Sequence, residues 1–436
     1  MPKENERTEE EQVVRKVYRR IMWFLVLLFI CSYLDRINIS FAALTMNTDL
    51  GLTATMFGLA NTVFYVAYVL AEVPSNMMMP RVGARLWIPR IMIPWGLISC
   101  ATMFAVGPNS LYALRALLGL AEAGFMPCIL LYLTYWFPPV YRARASALFI
   151  MAQPVTILFA STVSGLILQM DGFLGLAGWR WLFLLEGIPS VILGVAAYFY
   201  LSDNPAKAAW LSAREKEVLH TALERADMSV VTKNVGRTLR RELFSPPIML
   251  LSFAYMGLVI SLSTNSMWVP QIVRSLVPNQ SFALVGLIAA IPSFVTILLM
   301  PIWGRRSDRL QERRWHTVLP MLLAATGWIV IASLEDPTLR MVGLIACSVG
   351  AFSAQAIFWT LPANYLSPKS RPIGIALVNS IGVTGTTFGP LVIGSLRDAT
   401  GNWAAALAFV ACALCIGATC VALVSRRSRP AAVEQS

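Results

Sequence analysis

The chain has 436 residues, of which 57% are hydrophobic and only 13% are charged. Soluble globular proteins carry about 25% charged residues, so this composition excludes a soluble enzyme and a disordered protein. The net charge of +12 would suggest nucleic-acid binding in a soluble chain, but in a membrane protein basic residues mark the cytoplasmic loops. The composition therefore indicates a polytopic membrane protein with no nucleic-acid partner.

Twelve apolar segments are long enough to cross a bilayer, which requires about 20 residues per helix. They are predicted at residues 20–45, 56–79, 86–106, 109–135, 144–168, 182–201, 248–271, 281–303, 315–334, 338–362, 372–396 and 402–425. With a cytoplasmic N-terminus, 29 of the 35 basic residues fall on the cytoplasmic side and four on the outside, while Arg36 and Arg115 lie within spans. This asymmetry predicts that both termini are cytoplasmic. The fold class expected is an all-α membrane protein.

The spans divide into two sets of six around a long polar segment, which suggests two bundles that face each other across a substrate site. The predicted parts are a cytoplasmic tail at 1–19, a six-helix bundle at 20–201, a cytoplasmic loop at 202–247, a second bundle at 248–425 and a cytoplasmic tail at 426–436. The loop is expected to contain helical stretches such as 212–226. Both histidines fall in cytoplasmic segments, and no Gly-x4-Gly-Lys-[Ser/Thr] motif is present. We therefore expect no metal site, no cofactor, no ATP site and no enzymatic activity.

A basic turn recurs at the same place in each half. Pro80-Arg81-Val82-Gly83-Ala84-Arg85 follows span two, and Gly304-Arg305-Arg306-Ser307-Asp308-Arg309 follows span eight. This repeat resembles the Gly-x-x-x-Asp-Arg-x-Gly-Arg-Arg loop of the major facilitator superfamily, although Pro80 stands where that family has an acid. The resemblance implies a conformational gate on the cytoplasmic side, formed by Arg81, Gly83, Arg85, Gly304, Asp308 and Arg309.

Further motifs resemble the organic-anion branch of that superfamily, the anion:cation symporters. They are Tyr33-Leu34-Asp35-Arg36-Ile37-Asn38, Arg115-x6-Glu122-Ala123-Gly124, Trp179-Arg180-Trp181-x-Phe183-x2-Glu186-Gly187 and Asn379-Ser380-x-Gly382. Two runs, Thr55–Ala60 and Tyr132–Pro138, are most similar to hydroxyphenylacetate-type permeases. The resemblance implies substrate-binding roles for Tyr68, Gln153, Trp359 and Asn379.

Four ionisable residues within the spans, Asp35, Arg36, Arg115 and Glu122, are the main functional candidates. Intramembrane charges cost several kcal/mol and mark substrate pathways or proton relays. Arginine binds carboxylates bidentately, and a carboxylic acid in a low-dielectric site can carry a proton at neutral pH. We expect Arg36 to bind a substrate carboxylate, Asp35 and Glu122 to carry protons, and Arg115 to hold one of these acids ionised in one state. The alternative is a static ion-pair cluster that only fixes helix packing.

Two other acids, Glu72 and Glu186, are expected to be structural, with Glu186 close enough to pair with Arg180. Together these features predict proton-coupled symport of a small organic carboxylate across the inner membrane by a protein that functions as a monomer. The resemblance favours an aromatic or heteroaromatic monocarboxylate, such as a hydroxyphenylacetate, a hydroxybenzoate or nicotinate. The alternatives are a sugar acid or a tartrate-like dicarboxylate, transport without proton coupling, and a membrane receptor without transport.

Overall fold

The computed structural model describes residues 2–227, 243–366 and 370–424. Residues 228–242 of the predicted central loop and the predicted tail at 426–436 lie outside the described residues. Within the described part the secondary structure is helical: α1 (Pro2–Asp49), α2 (Ala54–Val82), α3 (Ala84–Ala101), α4 (Pro108–Glu122), α5 (Phe125–Trp136), α6 (Pro139–Ile167), α7 (Gly178–Tyr200), α8 (Ala213–Asp227), α9 (Pro246–Met267), α10 (Val269–Leu276), α11 (Phe282–Leu310), α12 (Arg314–Ser333), α13 (Pro337–Phe358), α14 (Arg371–Thr400) and α15 (Ala404–Leu423).

Twelve stretches of these described helices are long and apolar enough to cross a membrane. The predicted all-α fold with twelve spans is therefore confirmed. Helix α8 also confirms the helical stretch expected in the central loop. Contacts between residues divide the chain into two compact units, one formed by residues 1–232 and 270–290 and the other by 233–269 and 291–436. The predicted bundle boundaries at 201 and 248 stay a prediction.

Within each unit, small residues bring the spanning helices into backbone contact. A Cβ atom on Gly119 of α4 would clash with the carbonyl oxygen of Phe64 on α2. In the second unit, a Cβ on Gly327 of α12 would lie 2.5 Å from the carbonyl oxygen of Gly343 on α13. Lipid does not drive apolar helices together, so close backbone packing supplies much of their attraction. These glycines therefore set the distance between neighbouring helices.

The fourth predicted span is not one continuous helix. Helix α4 ends at Glu122 and α5 begins at Phe125, and between them Gly124 has φ +87°. Glycine adopts this left-handed conformation without the steric cost of a Cβ atom, and a Cβ here would also lie 2.5 Å from Ser75 Oγ. The span predicted at 109–135 is confirmed, but hydropathy does not register the two-residue break at Ala123 and Gly124 within it. The break places Glu122 at the carboxyl end of a half-helix.

Candidate functional site

An ion pair deep in the first unit joins α1 to α4. Arg36 Nε lies 2.5 Å from Glu122 Oε1, and Ser32 Oγ donates to the same oxygen at 3.4 Å. The Glu122 side chain is 1% exposed, whereas the Arg36 side chain is 26% exposed. The carboxylate is thus buried behind a guanidinium that stays accessible.

Aromatic rings of α2 also lie beside the Arg36 guanidinium. Arg36 Cζ lies 5.2 Å from the centre of the Tyr68 ring, which is within the range of a cation–π contact. Tyr68 is buried, and the centre of its ring lies 6.4 Å from that of Tyr65. The structure therefore brings together two predicted binding residues, Arg36 and Tyr68, and one residue that the sequence analysis did not select, Tyr65.

Asp35 lies in a different environment, made of neutral hydrogen-bond donors. Its carboxylate accepts hydrogen bonds from Trp95 Nε1 at 2.7 Å, Ser190 Oγ at 2.7 Å, Ser99 Oγ at 2.8 Å and Asn38 Nδ2 at 3.2 Å. The side chain is buried, and its donors come from α1, α3 and α7. Asp35 therefore ties three helices together without a cationic partner in contact among the described residues.

The sequence analysis missed the donors around Asp35, although one signal for them was present. Trp95 and Ser99 are four residues apart, so they share one face of α3, and an indole N–H is a donor that needs a partner when it is buried. Consecutive helix residues point about 100° apart. This rotation explains why Asp35 faces α3 and α7 while Arg36 faces α4.

Arg115 is buried and forms no ion pair with Glu122 or Asp35 in this conformation. Its Cζ lies 5.7 Å from the centre of the Phe183 ring, and its Nε and Nη2 atoms find no hydrogen-bond partner among the described residues. In this conformation Glu122 is bonded to Arg36 of α1, so the expectation that Arg115 holds Glu122 or Asp35 ionised in one state stays a prediction. Spacing along α4 showed that Arg115 and Glu122 share a face, but it could not show which neighbouring helix supplies the partner.

Glu186, which the sequence placed within reach of Arg180, is bonded to another residue. Ser164 Oγ donates to Glu186 Oε1 at 2.6 Å, and Oε2 has no partner among the described residues. Arg180 instead lies over the Trp179 ring, 5.0 Å from its centre. Glu72 is half-buried on α2. Glu186 thus joins α6 to α7, in keeping with the structural role expected for it.

The remaining predicted binding residues are distributed over both units. Gln153 is half-buried on α6 in the first unit, and within the described part of the chain no hydrogen bond links it to Arg36 or Glu122. Trp359 follows α13 in the second unit, where its ring centre lies 4.6 Å from that of Tyr255. Asn379 is exposed on α14 of the same unit. Their roles in binding stay a prediction.

The first copy of the gate loop is held by an acid from far along the chain. Asp203 Oδ1 accepts from the backbone N–H of Arg85 at 3.0 Å, and Asp203 Oδ2 lies 3.0 Å from Lys207 Nζ. Gly83 has φ +94°, and a Cβ there would lie 2.5 Å from Asp203 Oδ1. Arg81 is exposed at the end of α2. Asp203 therefore provides a carboxylate at the loop in which Pro80 replaces the acid of the family motif.

The second copy of the gate loop is held by contacts between residues that are close in sequence. Asp308 Oδ1 lies 2.6 Å from Arg313 Nη1, and Glu312 accepts from the backbone N–H groups of Trp315 and His316 at the start of α12. Partial burial opposes ionisation of Glu312, but the hydrogen bonds from Trp315 and His316 outweigh it and lower the pKa of the carboxyl group. Two other gate candidates lie in α11: Gly304, which has open space around it, and Arg309, which is exposed. The gating role of both loops stays a prediction.

Comparison with known proteins places this architecture in a family. The sequence profile of the Major Facilitator Superfamily matches residues 25–371 and 279–436. A protein of Agrobacterium vitis named "Putative tartrate transporter" is 42% identical over 421 residues, which cover 97% of this chain and 96% of that protein. A Pseudomonas putida protein named "Putative metabolite transport protein NicT" is 37% identical over 399 residues, which cover 90% of this chain and 91% of that protein.

The solved structures agree on the fold. The crystal structure of a bacterial homologue of the human lysosomal transporter Spinster, inward-facing and occupied, matches with a TM-score of 0.74 at 18% identity. The match covers 94% of this chain and 98% of the other. The chain therefore belongs to the Major Facilitator Superfamily and is a multi-pass transporter of the bacterial inner membrane.

Proposed function

We propose that the protein is a proton-coupled symporter of a small organic carboxylate and belongs to the organic-anion branch of the superfamily. The observation that carries the proposal is the Arg36–Glu122 pair. An accessible guanidinium is bonded to a buried carboxylate, and a substrate carboxylate offers arginine the same geometry as Glu122 does. The substrate anion and the Glu122 anion therefore compete for one cation.

This competition couples the proton to the substrate. When Glu122 takes up a proton at its carboxyl group, its charge-assisted bond to Arg36 is lost and the guanidinium is free to bind the substrate carboxylate. Release of the substrate allows Glu122 to give up the proton and bind Arg36 again. One proton with a monovalent anion moves no net charge, so this cycle responds to the pH gradient alone.

Asp35 is proposed as the second proton carrier. Its serine partners can rotate their hydroxyl groups and accept a hydrogen bond from a protonated carboxyl group, so either charge state finds partners. A second proton adds a driving force of about 2.3 kcal/mol per 100 mV of membrane potential. Arg115 is proposed to modulate both acids through its charge, since it is buried on the same side of the first unit and makes no hydrogen bond through Nε or Nη2 to any described residue.

An aromatic or heteroaromatic monocarboxylate is the substrate we favour. The single accessible arginine of the pair suits one carboxylate, and the rings of Tyr68 and Tyr65 beside it can pack against an aromatic body. Gln153, Trp359 and Asn379 are proposed as further substrate-binding residues. We assign the conformational gate to the two basic loops.

A tartrate-like dicarboxylate is the second candidate. It is favoured by the relative from Agrobacterium vitis, which carries a tartrate transporter name and is 42% identical over nearly the whole chain. Such a substrate brings two carboxylates and hydroxyl groups, so it calls for polar partners in addition to Arg36.

Uptake into liposomes under an imposed pH gradient, acid outside, tests the proposal. Accumulation of labelled 4-hydroxyphenylacetate or nicotinate, abolished by a protonophore, would support the favoured substrate class, and accumulation of tartrate would support the second. Accumulation that a protonophore does not affect would contradict proton coupling. Binding of a carboxylate without flux in any direction would contradict transport and indicate a receptor.

A further inference from the structure

The cytoplasmic end of α1 borders a cavity that the proposed transport cycle does not use. The cavity has a volume of about 610 Å³ and lies within the first unit. Its walls include four basic and two aromatic side chains: Arg15, Lys16, Arg19, Arg20, Trp23 and Tyr200. Arg15 and Arg19 are one helical turn apart, so they point to the same side of α1.

Most of the positive charge in this cavity lacks a counter-charge. Lys16 Nζ is bonded to Glu215 of α8, at 2.7 and 2.8 Å from the two carboxylate oxygens. Arg15 and Arg19 are exposed and make no ion pair or hydrogen bond with any described residue, including Glu11, one turn before Arg15. The guanidinium of Arg20 lies over the Tyr200 ring, 4.5 Å from its centre. Three arginines thus present their charge to whatever fills the cavity.

The aromatic wall marks the level at which the chain enters the membrane. Trp23 is 54% exposed, and its Nε1 donates to the hydroxyl of Tyr200 at 3.1 Å. That hydroxyl in turn donates to the backbone carbonyl oxygen of Arg20 at 2.8 Å. Tryptophan and tyrosine favour the boundary between headgroups and acyl chains, and the apolar part of α1 continues beyond Trp23. The cavity is therefore charged on its cytoplasmic side and apolar on its membrane side.

We propose that this cavity binds the headgroup of an anionic phospholipid. Guanidinium groups bind phosphate oxygens through paired hydrogen bonds, and Arg15, Arg19 and Arg20 are placed to hold the phosphate diester. The acyl chains lie along the face of α1 that begins at the exposed Trp23 and continues through the half-buried Leu27, Ile30 and Leu34. A soluble phosphate would use the arginines but would leave this apolar side unfilled, so the ligand is a lipid of the inner leaflet.

Native mass spectrometry of the detergent-purified protein tests the proposal. The protein is titrated with phosphatidylglycerol and, separately, with phosphatidylcholine of the same acyl chains. The test variant is the double substitution R15Q/R19Q. The matched control is R305Q/R306Q, which removes the same charge from exposed residues near the carboxyl end of α11 in the second unit.

We expect the wild type and the R305Q/R306Q variant to bind phosphatidylglycerol alike and more tightly than phosphatidylcholine. Two lost arginines should weaken phosphatidylglycerol binding to R15Q/R19Q by roughly 20- to 30-fold. Equal weakening in both double variants, or none in R15Q/R19Q, would overturn the proposal. Complete competition by water-soluble glycerol phosphate at the same concentration as the lipid would show a soluble phosphate site instead.

Discussion

Replacing Glu122 with glutamine removes the anion that competes with the substrate for Arg36. A hydrogen bond between charged groups contributes about 1.5–3 kcal/mol, which corresponds to roughly 10- to 150-fold in affinity. Glutamine can still accept a weaker bond from Arg36, so we expect the lower end of this range. The E122Q variant should therefore bind the carboxylate about tenfold more tightly than the wild type does in the state in which Glu122 is bonded to Arg36.

The pH dependence gives the sharper test. In the proposed cycle proton uptake at Glu122 frees Arg36, so wild-type affinity should increase with proton concentration. The E122Q variant cannot take up this proton, so its affinity should stay high and depend little on pH. Isothermal titration calorimetry with the transported carboxylate measures both curves.

Transport by the same variant separates coupling from binding. E122Q should exchange substrate in counterflow but should not accumulate it under a pH gradient. The control is E72Q, which neutralises a half-buried acid of α2 and should keep both the pH dependence and the accumulation. Proton-driven accumulation by E122Q, or equal losses in E72Q and E122Q, would refute the reasoning.

Three further substitutions probe the framework, each followed by unfolding of the purified protein. D35N places an amide donor against the indole N–H of Trp95, which lies 2.7 Å from the Asp35 carboxylate, and should lower the free energy of unfolding by about 1–3 kcal/mol. Adding W95F should recover part of this loss. Strictly additive effects of the two substitutions would contradict the contact. G119A should destabilise the protein by about 1–3 kcal/mol, because its Cβ meets a backbone oxygen of α2. G107A is the control and should be nearly neutral, because a Cβ at Gly107 has open space around it. Equal effects of the two substitutions would argue against close packing at α4. E312A removes the cap of α12 and should cost about 0.5–2 kcal/mol near neutral pH. Because the folded protein lowers the pKa of Glu312, this difference from the wild type should disappear as the pH falls through the lowered pKa, and a difference that persists in acid would exclude the capping role.

Composition and spacing predicted the spans and the intramembrane charges, because both follow from the cost of placing polar groups in lipid. They did not predict how the charges pair. Glu122 and Arg115 share a face of α4, yet Glu122 is bonded to Arg36 of α1. Pairing depends on the distance between helices, which the close contact at Gly119 helps to set, and one sequence does not reveal such a distance.

Local backbone conformation also escaped the sequence analysis. The stretch from 109 to 135 is apolar throughout, but Gly124 ends one helix and allows another to begin. The loop at Gly83 looked incomplete because Pro80 replaces an acid, while Asp203 reaches it from about 120 residues further along the chain. Neither feature has a periodic signature, since each depends on a single residue and its neighbours in space.

The continuity of α1 has a mechanical consequence. No proline or glycine interrupts the chain between Thr8 and Asp49, and sharp bends in helices arise at such residues or at bulges. Trp23 and Arg36 are 13 residues apart, or about 20 Å along a stiff rod. We therefore expect sliding or tilting of the cytoplasmic end to reach the Arg36 guanidinium with little loss, so that bilayer thickness and the electrical charge of its inner surface would influence the transport rate.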